Sequence, residues 1–370
     1  MRIVVAYDDA GQRDYLRQVA LSLGLECTAQ DCVRHADLGV RLAQAPYDLV
    51  LIVLSQPSIQ TLNLIQQTAS YVKVPVLAAG PAGDLQIALQ TIRAGAREYL
   101  DVTRLREELN QSLEKLSQSG AIQYRHGKML GVTAAVPGTG VTTLAVNLAF
   151  ALAERLPRRV AVAEIGSGVP ELALQLNVQP RHTTADLRKL WDRLDSTMMM
   201  QVLVEHPAGA FVLAHAPGTL RAESLPWEAL QHSLLLLKAM LDVTVLDCGH
   251  LLDEALGRTL TLCDAVLVPV RLDVVSLRLT RKLIRSLMEE HGVPPERVHV
   301  VANRTGQRHQ IAVKQAEETL GRPILESIPD DPGTVNEAIN QGAPLIRVAR
   351  RASITRSFDK LLSRLEGRPA

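Results

Sequence analysis

Short, unbroken apolar runs recur along this chain, separated by stretches in which apolar positions return every three or four residues. IVVAY (3–7), DLVLIVL (48–54) and VPVLAAG (74–80) are continuously apolar and bounded by turn residues, which predicts strands buried on both faces of a parallel sheet. Intervening stretches such as ALQTIRAGAREYL (88–100) are amphipathic and predict covering helices. At 117–128 the sequence SQSGAIQYRHGK breaks the pattern. The alternation restarts with MLGVTAAV (129–136) and continues through RVAVAEI (159–165), FVLAHA (211–216), VTVLDCG (243–249), AVLVPV (265–270) and VHVVAN (298–303). Strand–helix alternation on both sides of a break predicts an α/β protein of two doubly wound domains, 1–118 and 129–370, joined by a linker at 119–128. Ligands of such sheets collect at the C-terminal ends of the strands.

Composition supports that division. At about 150 residues per domain, 370 residues suggest two domains. With 47% hydrophobic and 21% charged residues, a disordered chain is excluded. Aromatics are only 3%, so the core must be Leu, Val, Ile and Ala. A net charge of +1 argues against a general polyanion binder, and no nucleic acid partner is expected. Cys27, Cys32, Cys248 and Cys263 show no metal-ligand spacing and read as isolated buried thiols of a reducing compartment. The histidines are scattered, His206 and His215 among them, and form no metal set. No leader pattern and no uncharged apolar run of spanning length is evident, so a cytoplasmic protein is expected.

Candidate chemistry centres on GVTAAVPGTGVTTLAVNLAFALAE (131–154), a buried strand, a glycine-rich turn and a helix. Phosphate-binding loops have this layout, because backbone N–H groups and the helix N-terminus face an anion. Their usual pattern, G-x-x-x-x-G-K-[ST], places a lysine where this chain has Val141, between Gly140 and Thr142. Two readings stay open: a phosphate cradle without its lysine, or a strand-to-helix turn that needs glycines only for its geometry. Asp247, at the end of VTVLDCG, is either a metal-facing carboxylate or a turn cap.

From its motifs the second half resembles the MinD/ParA branch of P-loop ATPases. The whole chain resembles the CpaE/TadZ proteins of Tad (Flp) pilus assembly, which pair such a domain with a receiver-like one. The branch's loop, K-G-G-x-G-K-T-T, corresponds to VPGTGVTT, keeping Gly138, Gly140, Thr142 and Thr143 around Thr139 while Val136 and Val141 replace both lysines. VANRTGQ supplies Asn303 and Arg304, and ESIPDDPGTVNEAINQGAPL supplies Pro329 and Asp330, which in the family lie against the adenine. DVVSLRLTRKLI (273–284) also fits the CpaE pattern. The resemblance implies ATP or ADP on residues 138–143, 303–304 and 329–330, with Mg²⁺ held by Thr142 and Asp247. In the family the strand after the loop ends D-x-D, whose second aspartate orients water; here AEIGSGVPELALQL gives Glu164 and Gly166. Three catalytic positions have thus lost their groups, and efficient hydrolysis is not expected. Arg278 and Arg304 are the candidates to replace the missing charge.

Residues 1–118 resemble a response-regulator receiver domain of flavodoxin-like fold. Asp8 and Asp9 match its acidic pair, but Val53 stands where the phosphorylated aspartate belongs, and Gly80 and Val102 replace the usual hydroxyl and lysine residues. An isopropyl group cannot form an acyl phosphate, so a pseudo-receiver that docks or dimerises is expected. Asp8 and Asp9 either hold a metal or cap a turn.

The resemblance implies a homodimeric pseudo-ATPase scaffold that positions the Tad pilus machinery, with the pilus secretion ATPase and other assembly proteins as partners, at the cell pole or inner membrane. The alternative is an active MinD/ParA-like ATPase positioning a division or DNA-partition complex. A receiver-containing transcriptional regulator is disfavoured, since no helix-turn-helix pattern is evident. In ASITRSFDKLLSRLEGRPA (352–370), Ile354, Phe358, Leu361, Leu362 and Leu365 share one face. That stripe either packs on its own domain or contacts the membrane as a peripheral helix.

Overall fold

In the first of two units, β1 (Ile3–Tyr7), β2 (Cys32–Arg34), β3 (Leu49–Val53), β4 (Val76–Gly80) and β5 (Glu98–Asp101) form a parallel sheet in the order β2-β1-β3-β4-β5. That is one of the two common doubly wound orders. Every residue of β1, β3 and β4 is buried, as their apolar runs require. The short edge strands β2 and β5 are only partly buried and carry charge. Edge strands are often blunted in this way, which hid both from the apolar pattern. ALQTIRAGAREYL accordingly divides into a helix ending at Arg93 and the strand β5.

The computed structural model describes residues 1–367 except 56, 57, 84, 123, 125, 126, 158, 192, 219–221, 223 and 224. Linker positions 123, 125 and 126 and the last three residues of the C-terminal stretch therefore lie outside the described residues. By contacts the first unit comprises Met1–His126, Leu190–Met199 and His232–Met240, and the second comprises Gly127–Lys189, Met200–Gln231 and Leu241–Ala370. Within the linker stretch, Ile122 is buried in the first unit's core and the Tyr124 hydroxyl donates to the Leu23 carbonyl at 2.8 Å.

The second unit holds β6 (Lys128–Val132), β7 (Val160–Glu164), β8 (Val204–Glu205), β9 (Phe211–Leu213), β10 (Val243–Asp247), β11 (Ala265–Val270), β12 (Val298–Thr305) and β13 (Ile324–Pro329). Their order is β13-β12-β11-β6-β10-β7-β9-β8, and only the β8–β9 pairing is antiparallel among the described strands. Register sets the functional edge: Asp247 at the end of β10 lies opposite Val132 of β6 on one side and Glu164 of β7 on the other.

The helix Val141–Arg155 crosses this sheet and is buried nearly all round from Val141 to Ala153. An all-apolar helix of this kind requires cover on every side. Part of that cover is the C-terminal helix Ser353–Leu365, whose Ile354, Phe358, Leu361 and Leu362 join the same core. Its apolar stripe is thus spent inside the unit, the intramolecular of its two readings. Among the described residues no helix is long and apolar enough to cross a membrane. The four cysteines are buried and free, but they are not isolated: Cys27 and Cys32 sulfurs lie 3.5 Å apart, and Cys248 and Cys263 both flank Gly131.

A buried carboxylate ties the first unit together. Asp31, fully buried, accepts from the Thr28 N–H and hydroxyl at 2.9 and 2.7 Å, from Arg2 at 3.1 Å, from Arg41 at 2.8 Å and from the Tyr47 hydroxyl. Burial alone would push its carboxyl up, but the bonds from Tyr47, Thr28 and Arg41 hold it below its ordinary value. Its stabilising contribution is therefore present above the ordinary carboxylate range and lost as pH falls through the lowered value. Asp31→Ala strands two guanidinium groups and should destabilise this unit by about 3 kcal/mol at neutral pH. The gap to wild type should narrow on acidification, as chemical denaturation at pH 7 and below pH 4 would measure.

Candidate functional site

β6 leads into the glycine-rich turn at the C-terminal edge of the second sheet. Gly138 and Gly140 have φ of 73° and 93°, a left-handed backbone that glycine adopts without penalty. The buried Thr139 closes the turn, its hydroxyl donating to the Val136 carbonyl at 2.9 Å. The first helical bond runs from Leu144 N–H to the Gly140 carbonyl at 2.9 Å, so the N–H groups of the opening turn are not used inside the helix.

These residues border an open cleft of about 290 Å³, lined by Gly138, Gly140, Val141, Thr142 and Thr143 from the loop, by Glu164, Gly166, Gly168, Val169 and Glu171 from β7 and the segment after it, and by Asp247 and Arg304. A Cβ at Gly138 would meet nothing within 4 Å, so the loop's backbone is open to close approach. The lysine position is spent differently: Val141 is buried and belongs to the hydrophobic core. Arg304 reaches the cleft with φ 55°, whereas Arg278 stands exposed on the helix Val274–Glu289 and is not among the lining residues.

Electrostatically the cleft is acidic. Glu164, Glu171 and Asp247 face it with Arg304 as the cation. Asp247 is almost fully buried. Its Oδ1 accepts from the Gly249 N–H at 3.1 Å and its Oδ2 has no partner. Burial, and then the charge of Glu164, pushes its carboxyl up to about 7, with the neighbouring Thr142 hydroxyl opposing the shift. Glu164 is satisfied by main chain: Oε1 accepts from Glu171 and Leu172 N–H at 2.7 and 3.0 Å, and Oε2 from His215 N–H at 3.2 Å.

The family description "CobQ/CobB/MinD/ParA nucleotide binding domain" matches residues 132–345, more than half of the chain. The chain belongs to that family. An uncharacterized ATP-binding protein of Methanocaldococcus jannaschii is 22% identical over 231 residues, 62% of this chain and 84% of that protein. The antiactivator FleN of Pseudomonas aeruginosa is 29% identical over 181 residues, 48% of this chain and 61% of FleN. Among solved structures, a ParA family ATPase from Chlorobium tepidum superposes with a TM-score of 0.58 at 23% identity, covering 64% of this chain and 98% of that one. The septum site-determining protein MinD of Pyrococcus horikoshii, solved with Mg-ADP, gives 0.53 at 19% identity, covering 65% and 96%. At these identities the superpositions establish the fold.

The residues present fit a magnesium nucleotide in two respects: the glycine backbone is open, and Asp247 has an orphaned buried oxygen beside Thr142. Thr142 and Asp247 would hold the metal and the N–H groups of 140–143 the phosphates, the cation offsetting the acidic wall. Asn303, near the end of β12, is bonded to the loop itself. Its Nδ2 donates to the Thr139 carbonyl at 2.6 Å and its Oδ1 accepts from the Arg304 N–H at 3.0 Å. It therefore braces the loop. Pro329 and Asp330 sit beside the end of β12, where Asp330 N–H bonds Thr305 and Gln307 donates to Asp330 Oδ2 at 2.7 Å. They are outside the residues that line the cleft. The bond from His215 N–H to Glu164 and the bracing by Asn303 carried no signal in residue spacing, since both join segments far apart in sequence.

In the first unit, the Asp8 carboxylate accepts from the Ser55 N–H and hydroxyl at 2.9 and 2.6 Å, and Asp9 caps the Gly11 N–H at 2.9 Å. Val53 is fully buried, and the Tyr99 hydroxyl fills the space a side chain at Gly80 would need. Among the described residues no cluster of three or more His, Cys, Asp or Glu is placed to hold a metal.

Because Asp247 has a raised carboxyl, its protonated form is favoured in the fold. Stability from this group is full below the ordinary carboxylate range and is lost as pH rises towards 7. Asp247→Asn should therefore gain on wild type between pH 4 and pH 8, by up to about 4 kcal/mol in the metal-free protein. Mg²⁺ affinity of the wild type should rise over the same window and level off above pH 7, as calorimetry at several pH values would read.

Proposed function

We propose that this protein is a non-hydrolysing, or at most weakly active, MinD/ParA-like scaffold that binds ADP or ATP weakly and positions or assembles the Tad (Flp) pilus machinery. The observation that carries this reading is a cleft that keeps the family's phosphate-facing backbone while Val136, Val141 and Gly166 stand where the ammonium groups and the water-orienting carboxylate belong. Losing a single such electrostatic donor costs about 100-fold or more in rate. Three losses together remove turnover.

The pilus assignment rests on the pairing of this domain with a first unit that has the marks of a pseudo-receiver. In support are the strand order β2-β1-β3-β4-β5, the acidic pair after β1, and Val53 at the end of β3. There Ser55 already occupies Asp8, which suits a docking or dimerising module without phosphoryl chemistry. The proposed partners are a second copy of the chain, the pilus secretion ATPase and other assembly proteins, at the cytoplasmic cell pole. The alternative, an active ATPase positioning a division or DNA-partition complex, is favoured by relatives named as septum site-determining MinD proteins.

Two measurements separate these readings. Steady-state ATP hydrolysis should stay at background, and Val141→Lys should leave it there because Gly166 still orients no water; turnover at a rate ordinary for the family would sink the scaffold reading. Titration calorimetry with Mg²⁺ should show ADP and ATP binding with similar, weak affinity, since the group that would reward the γ-phosphate is missing. Gly140→Val should abolish both: its Cβ would lie 2.5 Å from Asn303 Nδ2, on a backbone of φ 93°. Absence of heat from either nucleotide with the wild type would show the loop to be only a turn.

A further inference from the structure

Residues 165–171, between Glu164 of β7 and Leu172, run along one wall of the cleft and are held at three places. At the start, Ile165 and Gly166 N–H both bond the Asp247 carbonyl, at 2.9 and 3.2 Å. In the middle, the Gly168 carbonyl accepts from Ala222 N–H at 3.0 Å. At the end, Glu171 and Leu172 N–H bond Glu164 Oε1 at 2.7 and 3.0 Å. The Glu164 carboxylate is itself buried and fixed on its other oxygen by His215 N–H. None of these bonds involves the phosphate-facing loop.

The first anchor exists because residue 166 has no side chain. A Cβ there would come within 2.8 Å of the Cys248 carbonyl oxygen, 2.9 Å of its carbon and 3.0 Å of Gly249 N. Those are main-chain atoms at the end of a central strand and cannot swing aside, unlike the tip of a flexible side chain. Gly166 has no positive φ, so the requirement is one of close approach and not of backbone conformation. Gly168 differs: a Cβ there meets nothing within 4 Å.

We propose that residues 165–171 form a strap locked by the protein's own main-chain groups and Glu164, with Gly166 as the positioning residue that locks it. The strap keeps one conformation whatever the cleft holds, and it does not report nucleotide state to a partner. Any side chain at 166, aspartate included, displaces it from Asp247–Gly249. The inference deepens the scaffold reading and takes its meaning from it, while its test does not depend on nucleotide binding.

The test is amide hydrogen exchange on the full chain without nucleotide. Amides of Ile165, Gly166, Glu171 and Leu172 should be protected about 100-fold or more, as for bonds that open only sub-globally. Gly166→Ala should lower protection at 165 and 166 at least tenfold (about 1.4 kcal/mol), while Gly168→Ala leaves it unchanged. Adding Mg-ADP or Mg-ATP should leave all four amides as they were. Fast exchange in the nucleotide-free wild type overturns the proposal, and so does a Gly166→Ala protein as protected as wild type, or protection that changes when nucleotide binds. Should Gly166→Ala fail to fold, the wild-type exchange and its insensitivity to nucleotide decide. A calorimetric failure to bind nucleotide would defeat the proposed function and leave the strap standing on the nucleotide-free result.

Discussion

The end of β10 is the point on which the cleft depends. Over Asp247, Cys248 and Gly249 the chain spends its main-chain groups in both directions. Cys248 N–H bonds the Val132 carbonyl, while Gly249 carbonyl accepts from Ala134 N–H and the Thr133 hydroxyl. The Asp247 carbonyl takes the two N–H groups that begin the segment after β7. Three consecutive residues thus fix the approach to the glycine loop on one side and the opposite wall on the other. Buried main-chain groups must be paired, so neither wall can shift without orphaning polar atoms at the centre of the sheet.

That arrangement separates two properties that sequence motifs usually report together. Anion affinity in such folds comes from backbone N–H groups and the helix N-terminus, which the fold itself supplies. Rate acceleration comes from charged side chains placed around the transferring phosphoryl group, which the fold does not supply. Here the helix Val141–Arg155 uses its first residue as core packing. Carboxylates outnumber cations along the cleft, with Glu164, Glu171 and Asp247 against Arg304. A bare polyphosphate is repelled by such a wall, and a cation-neutralised one is not.

In the first unit, too, polar groups are met by internal bonds. Asp8 is engaged by Ser55, Tyr99 occupies the space over Gly80, and Val53 closes β3 inside the core. Its buried polar centre is elsewhere, at Asp31, where Arg2, Arg41, Tyr47 and Thr28 converge. A carboxylate so paired favours a single arrangement of the chain around it, because removing any one partner leaves buried charge unmatched.

The sequence by itself determined the buried strands, the break between two α/β halves, the glycine loop and the loss of its lysines. Each is local: a continuous apolar run must be covered on both faces, and a missing side chain is missing in any fold. It did not reveal the four edge strands β2, β5, β8 and β13, since these carry polar residues and have no apolar run to announce them. Tertiary structure alone decided the roles of Asn303, Glu164 and Gly166. Asn303 braces Thr139 from 164 positions away. Glu164 is saturated by N–H groups of three other residues, and Gly166 matters for the Cys248 backbone it nearly touches. Such roles arise where separate strands end side by side, and strand order and register, which no local pattern encodes, set which ends meet.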